Sequence, residues 1–180
     1  MGEYVLLQTV PIGRLCRNVG TNLDPPANAQ QISPNPNPAG NTIVITSPTE
    51  FNALNSFTNN GGIGTNPGGT LTNNLGAKLD NSGTIIGEGL LLNDGVLNNF
   101  NLVQGRLNNA GTVNNNGTMF HIATGGLSNT GTINNNGRMS GFTRNSVGGT
   151  LNNNVSYNGG LSNSGVFNNN GFFYRFRRHR

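Results

Sequence analysis

The chain has no tryptophan and a single cysteine, and only 9% of its residues are charged. With one thiol, Cys16, no intramolecular disulfide can staple the fold, so the residue is either a free thiol or a crosslink to another subunit. So few charges also exclude the charge-driven kind of disordered chain. No apolar run reaches the ~18 to 20 residues of a membrane span. The opening MGEYVLLQTVPIGRLC puts Glu3 where a secretion signal has its positive segment, so no cleavable signal is expected. Leu6 stands where myristoylation of Gly2 would need Ser or Thr. The spacing contains no P-loop, metal-ligand cluster or Ser-His-Asp arrangement.

What is present is mostly two residue types. The chain holds 36 Asn and 28 Gly among 180 residues, over a third of its length. Leu, Ile, Val and Phe make up a quarter, enough for a thin core. The net charge of +4 is supplied by Arg175, Arg177, Arg178 and Arg180, and the rest of the chain balances. A neutral body therefore carries a basic tail.

Four segments follow from composition. Residues 1–40 begin with the strand-like YVLLQTV, Tyr4 to Val10, and pass into DPPANAQQISPNPNPAG, whose prolines oppose regular structure. We read an extended arm and a linker. Residues 41–61 open with the β-branched strand TIVIT. A capping box then follows at Ser47, Pro48 and Glu50, and Phe51, Leu54 and Phe57 fall at helical spacing, which predicts a short helix covering the first coil. Residues 62–174 are repetitive, and residues 175–180 are the basic tail.

In the repetitive segment LNNAGTVNNNGTM, LSNTGTINNNGRM and LSNSGVFNNNGFF align with apolar residues six apart, and the same step links Leu79, Ile85, Leu91, Leu97 and Val103. An even step keeps one face inward, while the Asn-Gly pairs between apolar positions signal turns. One apolar side chain per unit cannot form a core alone, so the chain must wind into stacked coils. Leu107, Val113, Leu127, Ile133, Leu161 and Phe167 are expected in that core. Gly at corners with positive φ and Asn as stacked amide ladders account for both excesses. About five or six coils of ~4.8 Å each are predicted. The fold class expected is all-β, a parallel β-solenoid with a capping helix and an N-terminal arm. Handedness is left open, as is a prion-like reading in which the Asn-rich block orders only in aggregates.

The run L-x-N-x-G-T-[VI]-x-N-x-G resembles the Asn/Gly-rich β-solenoid repeats of bacterial surface and appendage proteins, including filamentous-haemagglutinin-like adhesins. The strand and helix at residues 42–57 are similar to the element that caps the first coil of right-handed β-helices. An arm with a cysteine ahead of a β body is similar in layout to spore-appendage subunits. The resemblance implies a location outside the cell, or on a cell or spore surface.

Function is read from the ends. A solenoid end exposes unpaired backbone and apolar rungs. The C-terminal end carries Phe172, Phe173, Tyr174 and Phe176 with no cap evident, while Tyr4, Val5, Leu6, Leu7 and Val10 form an unpaired strand on a linker. The expectation is a self-assembling structural subunit of a fibre, appendage or surface layer, whose partner is another copy, with Cys16 as a covalent lock. The tail Arg175, Arg177, Arg178 and Arg180 is a candidate for an anionic surface or polysaccharide, and nucleic acid is not expected. The alternative is an adhesin or binding module for a carbohydrate, a surface or ice, for which Thr84, Thr112, Thr118 and Thr132 would share one face. No enzyme, cofactor or metal site is expected. His121 and His179 are the only histidines, His121 is read as a solvated loop residue, and Asp80, Glu88 and Asp94 are too scattered for acid-base work.

Overall fold

The computed structural model describes residues 30–51, 56–121 and 126–174. They form a parallel β-solenoid of about seven turns, and no helix occurs among them. Each turn contributes strands to three stacks. The first stack runs through Thr42–Ile45, Gly62–Thr65, the start of Thr84–Asn93, the start of Leu102–Asn109, Thr118–Phe120, Arg138–Ser140, Ser156–Asn158 and Phe172–Tyr174. The second runs from Gln30–Gln31, paired with Pro48–Phe51, to Leu161–Asn163, and the third from Ser56–Asn59 to Val166–Asn169. Strands Thr84–Asn93 and Leu102–Asn109 bend from the first stack into the second without a break.

The even spacing of apolar residues turns each of them inward. Leu79, Ile85, Leu91, Leu97 and Val103 visit the third, first, second, third and first stacks in order, and all are buried. Leu107, Val113, Leu127 and Ile133 are buried as expected, while Leu161 and Phe167 in the last turn are only partly covered. Steps of four, six or eight residues all preserve the inward face, because side chains alternate along a strand. The irregular long period is thus absorbed in corners. Turns measured along the third stack run 22, 18, 16, 20, 18 and 16 residues, yet every strand there stays in register.

Two residues after each inward apolar residue of the second and third stacks stands an inward Asn. In the third stack Asn37, Asn59, Asn81, Asn99, Asn115, Asn135, Asn153 and Asn169 form a continuous ladder, each Nδ2 donating to the next Oδ1 at 2.7 to 2.8 Å. In the second, Asn73, Asn93, Asn109, Asn129, Asn145 and Asn163 do the same at 2.6 to 2.7 Å. Each carboxamide with a partner in the next turn also donates to a carbonyl beyond that partner, three residues on in all but one case, as Asn115 does to Arg138 and Asn153 to Phe172, and five residues on where Asn129 reaches Thr150. One side chain therefore clamps both the strand end and the corner of the following turn. Without that partner, a buried amide would cost on the order of 1 to 3 kcal/mol.

Two expectations need correction and a third holds at only some positions. Where a capping helix was predicted, the described residues form strands Pro48–Phe51 and Ser56–Asn59, and residues 52–55 lie outside the described part. Phe57 and Asn59 repeat the apolar-x-Asn pattern, so pairing with Leu79 and Asn81 outweighs the local capping signal. The first turn is instead covered by residues 32–41, where Asn37 bridges to Asn59 and Ile32 is buried. Finally, glycines with positive φ occur as expected, Gly68, Gly87, Gly105, Gly141 and Gly148 among them, whereas Gly111 and Gly131 are required by close approach. A Cβ on Gly131 would meet the Gly111 carbonyl oxygen and the backbone of Ala110.

The inner and outer Asn columns predict unequal sensitivity. Asn115→Asp removes both donors and leaves the Asn135 Oδ1 and the Arg138 carbonyl facing a buried carboxylate. It should cost about 3 to 5 kcal/mol in urea unfolding. Asn114→Asp, one residue away on the outer face, should cost less than about 1 kcal/mol. Equal losses would contradict the ladder's role.

Candidate functional site: the open C-terminal end

The two ends of the solenoid are finished differently. At the N-terminal end the third-stack ladder is closed within the chain. Asn37 donates to Asn59 and the Gly62 carbonyl, and its own Oδ1 accepts from Asn41 Nδ2 at 2.6 Å. Asn35 adds a hydrogen bond to the Ser56 carbonyl. The second-stack ladder starts at Asn73, opposite Phe51, and its Oδ1 is buried with no partner among the described residues.

At the C-terminal end both ladders stop with donors exposed. Among the described residues Asn163 donates only to Gly165 and Asn169 only to Gly171, within their own turn, whereas every earlier ladder amide reaches forward as well. Beside them the last apolar rung is partly bare. Phe173 stacks on Tyr157 at 5.1 Å and meets the Phe167 edge at 5.3 Å. Burial raises the Tyr157 hydroxyl pKa, and that hydroxyl donates to the Gly160 carbonyl. The sequence-predicted contacts Phe172, Phe173 and Tyr174 therefore divide between two surfaces. Phe173 points into the end of the core, while Phe172 and Tyr174 stack on each other on the outer face, 68% and 60% exposed. Tyr4, Val5, Leu6, Leu7, Val10, Cys16, Arg175, Phe176, Arg177, Arg178 and Arg180 lie outside the described residues.

The single Thr face that the binding-module alternative would need does not form. Thr112 and Thr132 are neighbours in the third stack and continue to Thr150, but Thr84 and Thr118 flank Leu102 in the first. The third-stack face also carries an outer Asn ladder through Asn98, Asn114, Asn134, Asn152 and Asn168, which begins on Asp80. No sequence signal separated these outer Asn from the inner ones except their parity with the apolar rungs. On the first-stack face, short side chains at Ser140, Ser156 and Asn158 leave a shallow depression of about 390 Å³, walled by Arg138 and Tyr174.

His121 is not the solvated loop residue expected. It is buried just past the first-stack strand Thr118–Phe120, its Nδ1 lies 3.2 Å from the Gly105 carbonyl, and its Nε2 has no partner among the described residues. Desolvation lowers its pKa to about 4, against the raising effect of the Gly105 hydrogen bond. Among the described residues no three His, Cys, Asp or Glu side chains group to hold a metal, and no helix is long and apolar enough to cross a membrane. Asp80 is engaged by Lys78 at 2.8 Å and by Asn98. Comparison with family models, curated proteins and solved structures finds no match, so the bacterial surface and appendage likeness rests on the repeat pattern and the solenoid architecture.

A histidine with a lowered folded pKa binds its proton more readily in the unfolded chain. Its contribution is complete above pH 6.5 and is lost as pH falls toward 4. The melting temperature should drop across that window, by up to about 3 kcal/mol of stability. His121→Leu should flatten the difference, and an unchanged pH profile in that variant would contradict the burial assigned to the ring.

Proposed function

We propose that the protein is a non-enzymatic structural subunit that assembles with copies of itself into a fibre, appendage or surface layer. The observation that carries this reading is the asymmetry of the ends: residues 32–41 finish the first turn, whereas the last turn leaves Leu161, Phe167 and Phe173 partly bare beside unanswered Asn163 and Asn169 amides. Exposed strand edges of this kind template further strands. The arm Tyr4 to Val10 of another copy supplies an apolar strand, and its addition would be heterologous, joining the N-terminal segment of one copy to the C-terminal end of the next. Such a contact does not close on itself and so propagates.

A second reading, a binding module for a neutral surface, draws on the regular third-stack face. Its Thr112, Thr132 and Thr150 column and outer Asn ladder keep a constant strand spacing despite uneven turn lengths. Such a face would act without any change in assembly state, which separates the two readings.

Deleting Met1 to Gly20 should abolish assembly seen by negative-stain electron microscopy while leaving the β-rich circular dichroism intact. A truncated chain that forms the same polymers would overturn the reading.

A further inference from the structure

The ladders have a direction. Every inner carboxamide donates toward the C-terminal end, so that end offers N–H groups and needs acceptors. The outer ladder runs the other way, Asn168 donating back to Asn152, so the demand for acceptors at this end is confined to the inner columns. The segment that fits must supply an inward apolar residue, an amide oxygen two residues on, and a carbonyl three residues beyond that. These are the groups that Asn153 finds in Asn169 and Phe172.

The corner from the third stack to the first always spans six residues between inward side chains. It reads apolar-x-Asn-x-x-x-apolar in every turn, from Phe57, Asn59 and Ile63 to Phe167, Asn169 and Phe173. One turn has Val at the corner in place of Gly or Asn: Leu151, Asn153, Val155, Tyr157. The arm repeats that variant at Leu6, Gln8, Val10 and Ile12, with Gln for Asn.

We infer that the residues Leu6 to Ile12 of one copy form the next coil corner on the C-terminal end of another, with Gln8 continuing the Asn169 ladder. This rests on the assembly reading above and specifies its contact. Leu6 covers Phe167, Gln8 Oε1 accepts from Asn169 Nδ2, Val10 lies over Gly171, and Ile12 covers Phe173. The Pro11 carbonyl takes the place that the Phe172 carbonyl has beneath Asn153. Glutamine is one methylene longer than asparagine but forms the same stacked amide ladders. The pairing is one bond short, because Pro11 has no N–H to match the bond from Phe172 to the Val155 carbonyl. The N-terminal end of the same chain does not compete for the arm in the third stack, since Asn37 is already answered by Asn41. The polymer consequently grows by adding arms to C-terminal ends.

The test measures the critical concentration for assembly of the full-length chain by light scattering and electron microscopy. Gln8→Asn should assemble like the parent. Gln8→Leu should raise the critical concentration about tenfold or more, as expected when a buried donor loses its acceptor. Asn169→Leu, which also takes the acceptor from Asn153, should raise it at least as much, and the double variant should be no worse than Asn169→Leu alone, because Gln8 then has no ladder to continue. Unchanged assembly in Gln8→Leu, or additive losses in the double variant, would overturn the Gln8 contact while the arm deletion still blocks assembly. If the deletion itself has no effect, the assembly reading falls and this contact with it. Lowered thermal stability of Gln8→Leu in a chain that stays monomeric would place the arm on its own C-terminal end and overturn the contact between copies.

Discussion

Everything in this fold depends on a buried carboxamide finding both of its partners in the next turn. An Asn side chain taken out of water must satisfy two N–H groups and an oxygen. Here one N–H meets the Asn above, the other meets a corner carbonyl, and the oxygen accepts from the Asn below. Because the carbonyl lies in the corner past the partner Asn, three residues on everywhere but at Asn129, the same side chain fixes strand register and corner shape together. The hydrophobic column supplies non-directional attraction, and the ladder supplies the direction that a column of Leu and Ile lacks.

This division explains how the chain tolerates turns of different length. Extra residues are placed between ladder positions, as in the corner from Thr143 to Leu151, and the next Asn restores register. It also explains why corners carry glycine. Successive turns pass so close that a Cβ on Gly131 would strike the Gly111 carbonyl. In the corner between the first and second stacks the Asn is missing, and the column there holds Gly87, Gly105, His121 and Gly141 instead, with several of the positive φ angles. That corner is where step lengths vary most and where the one buried histidine fits.

Much of this was legible before any coordinates. The six-residue step, the inward apolar residues and the ladders followed from spacing and composition, because parity alone decides which side chains share a face. What was not legible had specific causes. The interval from Leu127 to Leu161 conceals a complete rung whose inward residue is Thr143, so a search for apolar residues passes over it. Ser47, Pro48 and Glu50 make a sound local helix signal that pairing of Phe57 and Asn59 with the following turn overrides. The cover of the first turn lies in the Pro-rich stretch read as linker, where Asn37 is the one residue that keeps the ladder code. The asymmetry of the ends was visible only in part: an uncapped aromatic terminus could be read, but the direction of the hydrogen bonds required geometry.

The most direct measurement is hydrogen exchange of individual Asn side-chain amides by NMR, before and after assembly. The account predicts slow exchange at Asn99, Asn115 and Asn135, fast exchange at Asn163 and Asn169 in the isolated chain, and slowing at Asn169 once polymers form. Fast exchange throughout the ladder, or protection of Asn169 that is already complete in the monomer, would contradict it.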